Sequence, residues 1–200
     1  MFDELTSGDR VVIDAELARG AFGVVYRGRL DDRAVAIKRL EVDVVDDDVE
    51  SVSTRHFEFC HEARVMATLR HANLVALFAV VAQPLSLVME LCIGGDVAAL
   101  LRANLPSDLT DALRCALALD AARGLDYMHS RDVVHCDVRT PNIFLLLESV
   151  TALEAAVAQT RKNNNNNNND VGERPVLAKV ADFGLSRRAV GVVNERLGGW

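Results

Sequence analysis

The chain has little that would brace it covalently or carry it into a membrane. Its four cysteines, Cys60, Cys92, Cys115 and Cys136, form no Cys-x-x-Cys pair and have no histidines at metal-ligand spacing. That speaks against a disulfide framework or a zinc knuckle and fits separate reduced thiols in a cytoplasmic protein. The longest uninterrupted apolar run, Leu74 to Ala82, is too short to span a bilayer as a helix. The opening MFDELTSGDR places acidic residues where a secretory signal needs positive charge. Surplus positive charge is also missing. A net charge of −7 argues against nucleic acid as the main partner, because polyanions are held by clustered Lys and Arg. What is present, 50% hydrophobic and 26% charged residues in a chain of 200, suits a globular protein with a core and one domain or slightly more.

Strand-like segments come first. VVIDAEL, GVVYRGRL and RAVAIKRL, within residues 11–40, read as three successive antiparallel strands, with a turn at residues 30–33. The acidic stretch over 41–51 reads as a solvated loop. From Thr54 to Leu69, the positions of Phe57, Phe59, Ala63, Met66 and Leu69 predict a helix with one apolar face. LVALFAVVA and LSLVMEL follow as two more strands around Gln83-Pro84. After Gly94-Gly95 the character changes. Asp96 is placed to cap a short helix, VAALLRA, and Asp111 to His129 is a long Ala- and Leu-rich helical stretch. The order predicts an α+β fold in two lobes joined at the Gly-Gly segment. Residues 148–175 read as a low-complexity insertion in a hairpin between IFLLL and VLAKV. Thr151 and Glu154 suggest a capping box opening a short helix to about Thr160, before a disordered tract from Asn163 to Asn169.

Three groups of residues carry chemistry. Ala18-Arg19-Gly20-Ala21-Phe22-Gly23 lies between two strands, where glycines serve either a turn or a close backbone approach to phosphate. Lys38 ends an apolar strand, and Glu62 lies on a helix that can pack beside it. His135-Cys136-Asp137-Val138-Arg139-Thr140-Pro141-Asn142 follows the long helix, and Asp182-Phe183-Gly184 closes the strand LAKVA. Phosphoryl transfer needs oxygen ligands for Mg²⁺, a carboxylate near the attacking hydroxyl and cations on the phosphates. Asp137, Asn142, Asp182 and Lys38 supply those groups. Any one of the acids alone would be explained as a turn cap.

Taken in order, ARGAFGVV, VAIK, EARVMATLRHANLV, LVMELCIGGDV, LDYMHSRDVVHCDVRTPNIFL and VADFGLS make the chain resemble the protein kinase family, from about Leu17 into the activation loop. The wording is most similar to the tyrosine-kinase-like branch, whose members mostly phosphorylate Ser and Thr. The resemblance implies a bilobal kinase fold, with an N-lobe and hinge over 1–92 and a partial helical C-lobe over 93–200. It implies ATP, Mg²⁺ and a protein substrate. Gly20, Gly23 and their neighbours Ala18 and Phe22 would cover the phosphates, and Leu17, Val25 and Ala36 would face the adenine. Lys38 would hold the α- and β-phosphates and be held by Glu62. Met89 takes the gatekeeper position, with Glu90 to Cys92 as the hinge. Asp137 becomes the catalytic base, Asn142 and Asp182 the metal ligands. Arg139 stands where Ser/Thr kinases usually have a phosphate-contacting Lys, with different geometry.

Departures from the family pattern carry expectations of their own. Ala18 replaces the first glycine of the loop, and weaker nucleotide binding at most is expected. Cys136 replaces the arginine that in the family pairs with a phosphorylated activation loop, and a neutral buried thiol is expected there. Ser186 is the only hydroxyl residue between Asp182 and Trp200, so activity independent of loop phosphorylation is expected. The chain stops before the Ala-Pro-Glu segment of the family, so helices over 96–129 should expose apolar surface and the 200 residues alone should be inactive. A pseudokinase scaffold is the competing class. Against it, Lys38, Glu62, Asp137, Asn142 and Asp182 are all present.

Overall fold

A computed structural model describes residues 3–5, 10–20, 23–41, 49–104, 108–166 and 175–189. Six strands form one sheet: β1 (Asp3–Leu5), β2 (Val11–Gly20), β3 (Gly23–Leu30), β4 (Arg33–Arg39), β5 (Leu77–Val81) and β6 (Ser86–Glu90), in the spatial order β1-β5-β6-β4-β3-β2. Five are the expected antiparallel strands. β1, three residues long, has too little sequence to show alternation and adds in parallel to β5. Alternation along β4 sorts its side chains. Val35 and Ile37 are fully buried and pack with Ala79, Val81 and Val88 on one face, while Ala36 and Lys38 turn to the other.

Helix α1 (Val49–Thr68) begins five residues before the expected start at Thr54. Residues 49–51 are helical rather than loop, and 42–48 lie outside the described residues. An acidic lead-in is compatible with a helix start, because negative charge there is favoured by the helix dipole. Phe59, Met66 and the following Leu69 enter the main core with Leu74, Leu77, Leu87, Met128 and Phe183. Phe57 does not join them and is 66% exposed. Two residues from Phe59 is more than half a turn, so the two rings cannot share a face.

The second half is helical with short strands. α2 (Val97–Ala103) is capped as expected, the Asp96 carboxylate accepting from the N–H of Ala99 at 2.7 Å. α3 (Asp111–His129) starts at Thr110, whose hydroxyl accepts from the N–H of Leu113. β7 (Val133–Val134), a 3₁₀ turn (Thr140–Asn142) and β8 (Ile143–Leu145) follow, then α4 (Val150–Asn166), β9 (Ala178–Val180) and β10 (Arg187–Arg188). β8 pairs with β9, and β10 with β7, both antiparallel. At the joint, the N–H of Gly94 donates to Leu145 O at 2.9 Å and that of Leu145 to Gly95 O at 2.8 Å. A Cβ on Gly94 would lie 2.1 Å from Leu147 O, and Gly95 has φ of 72°, so both glycines are required by the crossing. The whole is the two-lobed α+β arrangement, a strand-rich lobe and a helical portion. Leu101 and Leu119, on α2 and α3, are 49% and 46% exposed. No helix among the described residues is long and apolar enough to cross a membrane.

The insertion departs most from expectation. α4 runs to Asn166, past Thr160, and takes in the first four asparagines; residues 167–174 lie outside the described residues. Its opening is capped by Ser149, whose hydroxyl accepts from the N–H of Ala152, and not by a Thr151–Glu154 box. Glu154 instead reaches Thr110, accepting from its N–H at 2.9 Å and its hydroxyl at 2.7 Å. Leu153 and Val157, four apart and both buried, join Leu113, Ala116 and Leu117 of α3 in a second core. The first part of the insertion, Ser149 to Val157, is therefore packed into the helical lobe. Leu153→Ala is expected to destabilise the fold by about 2–5 kcal/mol, and Gln159→Ala, on the exposed side, by less than about 0.5 kcal/mol. Chemical denaturation of both variants checks this.

Candidate active site

The site begins with the inner face of β4. Lys38 Nζ lies 2.5 Å from Glu62 Oε2 of α1 and 3.9 Å from Asp182 Oδ1, with the Lys38 and Glu62 side chains only 15% and 5% exposed. Burial pushes the Glu62 carboxyl above its usual range, and the Lys38 ammonium pulls it back. Neither charge would be stable at that depth without the other.

Below the sheet, the loop from His135 to Asn142 is locked by His135. Its Nδ1 accepts from the N–H of Asp137 at 3.2 Å, so Nε2 carries the proton donated to Ala181 O at 3.0 Å. The ring also sits 5.6 Å from that of Phe183. Asp137 is oriented from both sides: Asn142 Nδ2 donates to its Oδ2 at 2.8 Å and Arg139 Nε lies 3.1 Å from the same oxygen. Asn142 Nδ2 also donates to Asp137 O, which leaves the amide oxygen for another partner. Cys136 and Asp182 both have φ of 64°, a left-handed conformation that costs roughly 1 kcal/mol or more for such residues. The Cys136 thiol is exposed, not buried, because its neighbour His135 takes the inward place.

The other residues expected at the site lie on β2 to β4 and β6 and in the segment after β6. Cross-strand pairing of Val25 with Lys38, Ala36 with Met89 and Lys38 with Leu87 puts these side chains on one face. Leu17, 52% exposed, sits at the register shift between Glu16 and Ala18. Gly23 has φ of 122°, and a Cβ there would lie 2.1 Å from Arg39 O; a Cβ on Gly20 meets open space. Ala18 pairs with Val25, while Ala21 and Phe22 lie outside the described residues. The Glu90 N–H is tied to Ala76 O, and the Glu90 carboxylate is held by Lys179 at 2.8 Å. Burial, with the Glu90 charge, pushes the Cys92 thiol up to about 12, so it is a neutral, unreactive thiol.

Lys38, Glu62, Asp137, Arg139 and Asp182 thus line one cleft, joined by Arg55, Glu58, Phe59, Gly184 and Leu185. Sequence reasoning gave a site role to the first five and named neither Arg55 nor Glu58. Glu58 and Arg55 lie four and seven residues before Glu62, helical spacing that would have placed them on its face. Lys179 and His61 gave no signal, since their partners lie far away in sequence. Asp120 was equally silent; fully buried in α3, it accepts from the N–H groups of Leu177 and Ala178.

A family model described as protein tyrosine and serine/threonine kinase matches residues 11–196, and the chain belongs to that family. Over 194 residues it is 30% identical to the probable serine/threonine-protein kinase roco11 of Dictyostelium discoideum, covering 95% of this chain and 11% of that protein. To the probable serine/threonine-protein kinase SIS8 of Arabidopsis thaliana it is 32% identical over 193 residues, 94% of this chain and 15% of that one. To the leaf rust 10 disease-resistance locus receptor-like protein kinase-like 1.2 of the same plant it is 36% identical over 179 residues, 86% and 22% respectively. The chain therefore spans only 11% to 22% of the length of these relatives.

The two loop glycines separate fold from binding. Gly23→Ala is expected to lower the unfolding midpoint, since its Cβ would strike backbone. Gly20→Ala should leave the midpoint unchanged and show itself only in nucleotide affinity. Thermal unfolding with and without ATP and magnesium measures both.

Proposed function

We propose that the chain is the core of an ATP-dependent protein kinase that transfers the γ-phosphate to a Ser or Thr hydroxyl of a protein substrate. The observation that carries this is the gathering of Lys38, Asp137 and Asp182, far apart in sequence, on one cleft. The N-lobe and hinge would be residues 1–92 and the C-lobe portion 93–200. The free cysteines suit the cytoplasm.

Each role follows from the group and its surroundings. Lys38, fixed by Glu62, offers a cation to the α- and β-phosphates. Gly20 leaves room for phosphate against the backbone, and Val25, Ala36 and Leu17 offer an apolar face to the adenine beside Met89. Glu90 and Cys92 would meet the adenine through their backbone. Among the described residues, no cluster of three His, Cys, Asp or Glu can hold a metal alone. Asp182 with the free amide oxygen of Asn142 matches magnesium instead, which takes one or two protein oxygens and fills its shell with phosphate and water. When bound, magnesium neutralises charge on the transferring phosphoryl group. Asp137, oriented by Asn142 and Arg139, accepts the proton of the attacking hydroxyl. Arg139, 60% exposed at its side chain, can swing from Asp137 to the phosphate.

Ser186 is fully buried, and Cys136 offers no cation to a phosphate. Activity therefore does not depend on a phosphate at Ser186, the one hydroxyl residue within 183–200. Phosphatase treatment of the full-length protein should leave its activity intact, and loss of most of it would refute this reading. A radiolabelled-phosphate assay on the full-length protein tests the reaction itself. Asp137→Asn should lower turnover by about a thousandfold while magnesium-dependent stabilisation by ATP remains. Stabilisation without any transfer in the unaltered protein would mark a pseudokinase.

A further inference from the structure

The contact between α1 and the segment after Asp182 is made by a side chain that the phosphoryl-transfer roles leave unused. His61 Nε2 lies 2.6 Å from Ser186 O. A carbonyl oxygen only accepts, so the imidazole donates. His61 precedes Glu62 directly, so one helix turn holds both the bond to Ser186 and the pair with Lys38.

The acceptor is itself fixed. The N–H of Ser186 donates to Phe183 O at 3.0 Å, and its hydroxyl faces His135 O at 3.4 Å. Beyond it, β10 pairs with β7, and the N–H of Ala189 donates to Asp132 O at 2.8 Å. The donor is fixed as well, because the Phe57 ring, one helical turn earlier, stacks on His61 at 6.5 Å with an interplanar angle of 16°. This gives the exposed Phe57 a contact that the core does not.

We propose that His61 is a positioning residue that ties α1 to the Ser186 carbonyl and so keeps Glu62 on Lys38 without any phosphate on the loop. The inference rests on the kinase reading and deepens it. This bond adds to the packing of Phe59 and Met66 in holding α1 against the rest of the site. Ser186 contributes its backbone, so its side chain is not what His61 recognises.

The test compares His61→Leu, which has no donor, with His61→Gln, whose amide nitrogen reaches a similar point. Both are made in the full-length protein, and thermal unfolding shows which of them fold. Two readouts are taken: steady-state kinetics with ATP varied, and hydrogen–deuterium exchange of residues 59–66 and 184–189. Losing one such bond is expected to raise exchange in both segments and to lower kcat/KM for ATP by about fivefold in His61→Leu, with His61→Gln close to the unaltered protein. Should His61→Leu fold and match the unaltered protein in exchange and kinetics, or should His61→Gln fail as badly as His61→Leu, the positioning role is wrong. An unaltered protein that transfers no phosphate sinks the kinase reading alone. The exchange comparison still decides whether His61 holds α1, and if His61→Leu does not fold, unchanged exchange in a folded His61→Ala variant, which also lacks the donor, overturns the proposal.

Discussion

The backbone of residues 177–186 is fastened on every side, and the site depends on that. Val180 donates to Asn73 O and accepts from Val75, which joins it to the stretch leading into β5. Asp120 takes the N–H groups of Leu177 and Ala178, joining it to α3. His135 reaches Ala181, joining it to the Asp137 loop, and Asn142 accepts from the N–H of Ala181. Asp182 sits at the end of this clamp in a left-handed conformation that a free chain would relax. An acid held so has one place to go, 3.9 Å from Lys38. Remove the clamp and the strain would be released by moving the carboxylate.

The charges in the cleft are arranged by the same logic. Lys38 and Glu62 are buried together, Lys179 and Glu90 nearly so, and each pair joins elements distant in sequence. Buried pairs contribute little net stability compared with apolar contacts, but a missing partner is costly, so they fix geometry. Lys38–Glu62 sets α1 against β4. Lys179–Glu90 sets β9 against the end of β6. The sheet, α1 and the helical lobe are thereby held at one spacing around the cleft that Lys38, Asp137 and Asp182 line.

Much of this was legible in the chain. The strands β2 to β6 could be read because each alternates or runs apolar between turn residues. α2 could be read to the residue because Asp96 stands next to its apolar run, and α3 because residues 111–129 are rich in Ala and Leu; the Thr110 cap was not foreseen. Asp137, Asn142, Asp182, Lys38 and Glu62 could be read because their spacing matched a family. What failed to show was local sequence with non-local partners. Phe57 was grouped with the core residues by approximate helical spacing, and Glu154 looked like a cap by spacing alone, whereas its partner is Thr110 at the start of another helix. β1, β7 and β10 are two or three residues long, too short for any periodicity. Nothing about Lys179, Asp120 or His61 in isolation tells which distant atom each will meet.

The way α4 is fixed bears on its asparagines. Every anchor described for that helix, Ser149, Leu153, Glu154 and Val157, comes before the first asparagine at position 163. Tracts of a single residue drift in length between related genes. Here such drift would fall downstream of those four anchors, so a changing copy number would leave the contacts with α3 in place.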